Sequence, residues 1–373
     1  MIRESLKSLR EVASAAADML FLRYPGFVYG ESCSGAVPVF CFHGVESASF
    51  EAMLAFLKLN GYVTLDADEY HRVVVGRAGF PSKAVVLTFD DGWRSLWSVG
   101  FPLLKKYGVK AVVFIVPGRL RQSDSGSPLL SWEEVREMDA SGLVDFQSHS
   151  LTHSLVCRSP RIVDFVRPEI MSESNYLELA GCANGGAVLR LGEPMYETAP
   201  RLSDSPGLAV DGAVADECAG LVESRGGACF FRARGWRGEL RNAAREAIRC
   251  SLSLWRLETR EEQIQAVRRE MVESKRAIEE MLPGKVVRHL CYPWHVAGKT
   301  ALEESRNAGY ISGFFGKIGG RYYNPIPYDP YSIARLSGDF FFRLPGKGRV
   351  GLLRILLKKA GRRAREGHPY LTH

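Results

Sequence analysis

The sequence predicts an α/β protein built around a parallel (β/α) barrel, and two observations support this. Residues 84–89 form an apolar run without polar alternation, which is typical of a strand covered by helices on both faces. Similar runs alternate with helical patterns along most of the chain. The first run ends abruptly at Asp90, Asp91 and Gly92. Because sites in parallel α/β folds lie beyond the carboxyl ends of strands, we expect function at these aspartates.

The amino-terminal half supplies the elements around this strand. Gly61 and Gly108 each end a helical pattern. His43 directly follows the first apolar strand and is therefore a candidate neighbour of the site. The predicted elements of this half are strand 37–42, helix 50–60, strand 84–89, helix 94–107 and strand 110–116.

A second strand with a polar end, residues 144–149, runs into the segment His149-Ser-Leu-Thr-His153. A capping box at Ser131 and Glu134 opens the helix that precedes this strand. Two imidazoles four residues apart can face one point if the chain turns there, and with one carboxylate they form a two-histidine metal site. The ordered pair of motifs therefore favours a catalytic metal site.

The two motifs together resemble a known family. T-F-D-D-G at residues 88–92, followed by H-S-L-T-H at residues 149–153, is similar to the polysaccharide deacetylases that share the NodB homology domain. The resemblance covers roughly residues 37–156 and 259–338. It implies a distorted, incomplete parallel barrel of the NodB type.

The resemblance also suggests how the chain is divided. An amphipathic segment at 1–34 precedes a NodB-like barrel at 35–342, and a basic amphipathic tail occupies 343–373. A large insertion at about 155–255 follows the second histidine, where lids and specificity loops are common. Beyond the second histidine, the predicted elements are helices 211–224 and 238–255, helix 259–281 with a capping box at Thr259 and Glu262, and strand 286–292.

The family pattern assigns roles to the motif residues. It implies that Asp91, His149 and His153 hold one divalent metal ion, which we expect to be zinc, while Asp90 acts as general base. Side chains of adjacent strand residues point in opposite directions, so one aspartate can bind the metal while the other does not contact it. The sequence alone does not distinguish the two aspartates.

Two family motifs are altered in this chain. Cys291 stands where many relatives have an arginine that orients the catalytic carboxylate, and Arg335 is our candidate to replace that arginine. We therefore expect Arg335→Ala to lower turnover but hardly affect folding. Gly338 stands where relatives have the histidine that protonates the leaving group. His295 or His43 could supply that proton instead.

The segment after Cys291 is the predicted substrate-binding region. Tyr292, Pro293 and Trp294 fall where relatives have an R-x-P-Y motif. We therefore expect these three residues to contact the sugar.

Charge and cysteine usage limit the partners and the compartment. Nine of the 49 Lys/Arg and one of the 42 Asp/Glu lie from Arg343 onward, which leaves 40 basic and 41 acidic residues before it. A neutral body argues against nucleic acid as a partner, whereas the basic tail predicts contact with an anionic membrane surface. Eight cysteines without a C-x-x-C pair, and an amino terminus without an uninterrupted apolar segment, predict a cytoplasmic protein, peripheral on the membrane.

Three functions remain open from the sequence. The first is removal of an N-acetyl group from an amino sugar in a cytoplasmic saccharide precursor of surface polysaccharide, either lipid-linked or nucleotide-linked. The second keeps this chemistry but acts on a formyl group, as in deformylases of lipid-linked amino sugars. The third is a non-catalytic sugar-binding relative, which retention of all four metal-site residues disfavours.

Overall fold

A computed structural model describes residues 17–33, 35–123, 126–171, 189–210, 212–250 and 255–358. Contacts divide the chain into two compact units. The first comprises residues 1–150, 274–295 and 309–365, and the second comprises residues 151–273, 296–308 and 366–373. Within the described ranges, no helix combines the length and apolar character needed to cross a bilayer.

The strands, in chain order, are β1 Val39–Phe42, β2 Val63–Thr64, β3 Ala84–Asp91, β4 Ala111–Ile115, β5 Val144–Ser148, β6 Leu155–Phe165, β7 Pro194–Pro200, β8 Leu208–Val210, β9 Trp255–Leu257, β10 His289–Cys291, β11 Ser312–Phe314 and β12 Leu336–Ser337. The α-helices are α1 Gly26–Tyr29, α2 Ser47–Asn60, α3 Ala67–Val74, α4 Phe101–Tyr107, α5 Trp132–Ala140, α6 Ala213–Ser224, α7 Trp236–Cys250, α8 Arg260–Met281, α9 Lys299–Asn307 and α10 at 352–358.

The first unit contains the predicted parallel sheet. Its strands follow the order β11-β10-β5-β4-β3-β1-β12, with β2 paired to β3, and every pairing is parallel. All eight residues of β3 are buried, as the unbroken apolar run predicted. The incomplete parallel α/β barrel is thus confirmed, and β3 brings its two aspartates to the carboxyl edge of the sheet.

Local signals account for the helices next to the sheet. Gly61 and Gly108 adopt left-handed backbone angles, with φ of 68° and 63°, and end α2 and α4 as predicted. The predicted helix 94–107 begins with a wider π-helical turn at Leu96–Gly100. The capping box at Ser131 is present in α5. Strand β10 is shorter than the predicted 286–292, because only three residues pair in the sheet.

The second unit contains most of the predicted insertion. Strands β6 and β7 form an irregular antiparallel hairpin, and β8 pairs antiparallel with β9. Helices α6 and α7 pack through Cys218, Leu240 and Ala244. These helices correspond to the predicted 211–224 and 238–255, although α7 ends at Cys250 and residues 251–254 lie outside the described chain. The hairpin was not predicted.

The start of the basic tail is integrated into the first unit. The Arg343 Nε–H donates to the carbonyl of Val28 at 2.8 Å, and the amide of Val350 donates to the carbonyl of Phe342 at 2.9 Å. In α10, Ile355 is buried while Leu353 is 71% exposed. Residues 359–373 of the predicted tail, and residues 1–16 of the predicted amino-terminal helix, lie outside the described residues.

Candidate active site

The end of β3 presents Asp91 on a left-handed turn. Asp91 has a φ of 73° and Gly92 has a φ of 79°, which is a backbone conformation that residues other than glycine rarely adopt. The indole N–H of Trp93 donates to Asp91 Oδ2 at 2.9 Å. The second oxygen, Oδ1, faces His149 Nε2 at 3.4 Å. Asp91 is therefore held with one oxygen directed at the histidine.

His149 is oriented by the backbone of β10. Its Nδ1 lies 2.8 Å from the carbonyl oxygen of Cys291, and a carbonyl can only accept. Nδ1 therefore carries a proton, and Nε2, which faces Asp91, is the ring nitrogen that would bind a metal. The ring is buried, which fixes this orientation.

The predicted ligands are compatible with a single ion. The ligand atoms of Asp91, His149 and His153 all lie within 4.8 Å of one another. Nitrogen and oxygen ligands about 2.0–2.2 Å from a tetrahedral zinc are themselves about 3.3–3.5 Å apart, which matches the 3.4 Å between Asp91 and His149. The donor set and its spacing thus fit a divalent metal.

Backbone strain concentrates at these residues. Among the described non-glycine residues, seven have positive φ, and five of these belong to the site segments. They are Asp91, Ser150, His153, Trp294 and His295. Such conformations cost free energy and are often found where function requires a fixed side-chain position.

Asp90 forms a bidentate ion pair with Arg335. The two guanidinium nitrogens donate to the two carboxylate oxygens at 2.6 and 2.7 Å, and both side chains are buried. Burial alone would raise the pKa of Asp90, but the charge and hydrogen bonds of Arg335 lower it well below its usual value. Arg335 thus makes the predicted contact with Asp90, the aspartate expected to act as general base. Its complete burial contradicts the expectation that Arg335→Ala would hardly affect folding.

Two thiols complete the surroundings of Asp90. The thiols of Cys41 and Cys291 lie 3.5 and 3.6 Å from Asp90 Oδ2. Burial raises the pKa of both thiols, so they stay protonated and can donate to the carboxylate. In the sequence, Cys291 stands out only because it replaces an arginine, and Cys41 carries no signal of its own. Cys41 belongs to β1, the neighbour of β3, whereas Cys291 ends β10, which does not pair with β3.

The two candidate proton donors differ in their surroundings. His295 Nδ1 lies 3.3 Å from Arg335 Nη2. Although its side chain keeps an exposed face, desolvation of the ring and the positive charge of Arg335 lower the pKa of His295. A neutral imidazole is a poor acid, so this histidine is less suited to protonate a leaving amine. His43 is exposed at the end of β1.

The predicted substrate-binding segment is only partly accessible. Tyr292 is 0% exposed, and its ring lies 4.6 Å from the ring of Phe315. Pro293 is also buried, whereas Trp294 is partly exposed. Direct contact of Tyr292 and Pro293 with a substrate is therefore incompatible with this structure. Trp294 remains the predicted contact of this segment.

Comparisons with known proteins show which families and relatives this chain is similar to. Residues 77–177 match the family model for polysaccharide deacetylases. YxkH of Bacillus subtilis is 30% identical over 125 residues, which is 31% of this chain and 43% of YxkH. The poly-β-1,6-N-acetyl-D-glucosamine N-deacetylase of Staphylococcus aureus is 29% identical over 116 residues, which is 30% of this chain and 38% of that enzyme. Both matches thus cover less than half of the relative.

The fold also has solved counterparts. The deacetylase domain of BpsB from Bordetella bronchiseptica superimposes with a TM-score of 0.53 at 17% identity, covering 82% of this chain and 97% of that domain. At this identity the similarity supports the fold alone.

Proposed function

We propose that this chain, which carries a polysaccharide deacetylase domain, is a metal-dependent hydrolase that removes an N-acyl group from an amino sugar. One observation carries the proposal. Arg335 holds the carboxylate of Asp90 through two hydrogen bonds, beside the cluster of Asp91, His149 and His153. This arrangement combines a fixed candidate base with a set of metal ligands, which are the two parts that metal-assisted amide hydrolysis uses.

Each residue of the chain has a distinct part in the proposed reaction. Asp91, His149 and His153 would hold a divalent ion, which supplies an activated water and polarises the acyl oxygen when bound. Asp90 would take the proton from the attacking water. Arg335 positions Asp90 and keeps it ionised. A histidine then protonates the departing amine.

We infer an N-acetylated amino sugar in a cytoplasmic saccharide precursor, lipid-linked or nucleotide-linked, with zinc as the ion. The name of the Staphylococcus aureus relative supports N-acetylglucosamine as the sugar unit.

The test is release of acid and amine from short soluble N-acetyl- and N-formylglucosamine derivatives, with metal-loaded and chelator-treated protein. Acetate release that depends on metal supports the proposal, whereas formate release alone supports the deformylase alternative. Sugar binding without release of either acid would identify a non-catalytic relative.

The first prediction separates the two histidines. We expect His43→Gln to lower kcat by about 10²–10⁴, because this is the usual contribution of a general acid. His295→Gln should lower kcat less, since the lowered pKa leaves this ring neutral at working pH. Full pH–rate profiles of both variants would measure the difference.

The assignment would be confirmed if the limb of the pH–rate profile that reports the general acid is lost in His43→Gln and kept in His295→Gln. If neither change slows the reaction more than about tenfold, the proton comes from another group. His71→Gln is the matched control, because His71 belongs to α3 and not to any of the site segments.

The second prediction concerns the membrane. We propose that the basic tail holds the protein at an anionic surface, where each basic group contributes about 1 kcal/mol. Because Ile355 is buried, a truncation should begin after α10. Removing residues 359–373 is expected to leave activity on a soluble sugar intact and to abolish sedimentation with anionic vesicles at low salt. Sedimentation equal to that of the full chain would contradict this role.

A second basic surface provides the alternative outcome for that assay. Helix α7 exposes arginines at four-residue intervals, and these are Arg237, Arg241, Arg245 and Arg249. If vesicle binding survives truncation but is lost when these arginines are changed to glutamate, the membrane contact belongs to α7 and not to the tail.

A further inference from the structure

A cavity of about 570 Å³ lies at the carboxyl edge of the sheet within the first unit. Its walls come from the end of β1, from α2, from the segment after β12 and from α10. The volume is in the range of sites that bind small ligands. We name it the α10 cavity.

The α10 cavity lies next to the proposed reaction centre. Cys41 and His43 both line it. The Cys41 thiol donates to Asp90 Oδ2 at 3.5 Å, so one side chain separates the cavity from the proposed base. A group bound in the cavity would therefore be a neighbour of the reacting amide.

Gly338 keeps part of this cavity open. It belongs to the lining. A Cβ atom at Gly338 would lie 2.2 Å from the ring of Phe42. A residue with a side chain could therefore not be accommodated there without moving this ring.

The lining combines an apolar wall with cations at its edge. The apolar side chains are Phe42, Met53, Phe342, Val350 and Ile355. Arg354 and Lys358 add two exposed positive charges on α10.

Two carboxylates also line the cavity, and both have local partners. Glu46 caps α2 by accepting hydrogen bonds from the amides of Ala48 and Ser49, at 3.1 and 2.9 Å. Asp339 accepts a hydrogen bond from the Ser337 hydroxyl at 3.1 Å. The hydrogen bonds from Ser49 and, to a smaller extent, the positive charge of Lys358 lower the pKa of Glu46. In the part of the chain that the structure describes, neither Arg354 nor Lys358 lies within ion-pair distance of a carboxylate, so we assign both to an incoming anion.

We propose that the α10 cavity binds the phosphate and the start of the apolar chain of a substrate in which the phosphate joins this chain to the amino sugar. The apolar wall would cover the start of the chain, and Arg354 and Lys358 would bind the phosphate. This inference rests on the proposed function and names the substrate class for the same site. It also gives the basic start of the tail a role in substrate binding.

Three soluble probes test the two halves of this chemistry. The first is the hexyl glycoside of N-acetylglucosamine, and the second is N-acetylglucosamine 1-phosphate. The third is the phosphodiester that joins this 1-phosphate to a hexyl chain. We expect the phosphodiester to have the highest kcat/KM and the tightest Kd by calorimetry, since each buried methylene contributes about fourfold in affinity. Tight binding of the 1-phosphate without further gain from the hexyl chain would overturn the apolar half and indicate a nucleotide-linked substrate.

Two variants and their matched controls locate the effect. Met53→Trp should fill the cavity and weaken phosphodiester binding at least about tenfold, while Leu59→Trp on the same helix, at an exposed position, should not. Arg354→Glu combined with Lys358→Glu should remove the preference for phosphate. Lys58→Glu combined with Lys347→Glu makes the same charge change at exposed positions outside the lining and should retain it.

The outcomes distinguish this inference from the proposed function. Equal affinity for all three probes, or a preference that survives both cavity variants, would overturn the inference even if acetate is released normally. Calorimetry remains informative if no probe is hydrolysed, because tight phosphodiester binding that the variants abolish would support the cavity assignment while the hydrolase proposal fails.

Discussion

Replacing His149 or His153 with alanine is expected to abolish stoichiometric binding of a divalent metal and all metal-dependent turnover. The predicted site has three protein ligands, so loss of one imidazole removes a third of its donors. Asp91→Ala should have the same effect. Asp90→Asn should instead retain the metal and lower kcat by about 10²–10⁴, because Asp90 faces Arg335 and is the proposed proton acceptor.

Metal content after dialysis, measured by elemental analysis alongside the rate of amine release, tests this separation. Circular dichroism of each variant shows whether it is folded. His71→Ala is the matched control, since it removes an imidazole from α3 and should retain the ion. Stoichiometric metal in both the His149→Ala and His153→Ala proteins would disprove the site.

The parts of the fold that the sequence predicts are those with a local cause. The unbroken apolar run of β3 requires burial on both faces, and Gly61 requires a left-handed residue, so each is visible in a short window. The hairpin of β6 and β7 has no such signal. Pro160 interrupts β6, and its pairing has repeated register shifts, so the period of two that identifies a strand is lost.

The candidate site shows the same limit. The motif aspartates and histidines are recognisable because each follows a strand directly. The contact of Cys41 with Asp90 depends on β1 being the neighbour of β3, which is a property of strand order and not of local sequence. Tyr292 was predicted to contact substrate because it lies in the segment that corresponds to the R-x-P-Y motif of the family. Its ring instead fills space beside Gly313, where a Cβ atom would lie 2.6 Å from the ring. Burial of this kind is decided by long-range packing.

Arg335→Ala is expected to lower the free energy of unfolding by about 3–5 kcal/mol, in addition to its effect on turnover. The variant leaves the buried carboxylate of Asp90 without its cation, although the two thiols remain. Removing one member of a buried ion pair costs far more than removing a surface pair, because the remaining charge has no water to solvate it. Urea unfolding followed by tryptophan fluorescence measures the change.

The double variant Arg335→Ala with Asp90→Ala separates this cause from simple loss of packing. Because neither charge is then buried alone, the double variant should be more stable than Arg335→Ala. Arg94→Ala is the control for a pair near the surface, since Arg94 pairs with Glu134 at 3.0 Å but keeps 34% of its side chain exposed. It should cost about 1 kcal/mol or less. Wild-type stability of Arg335→Ala would mean that the Arg335–Asp90 pair does not hold the base in the folded protein.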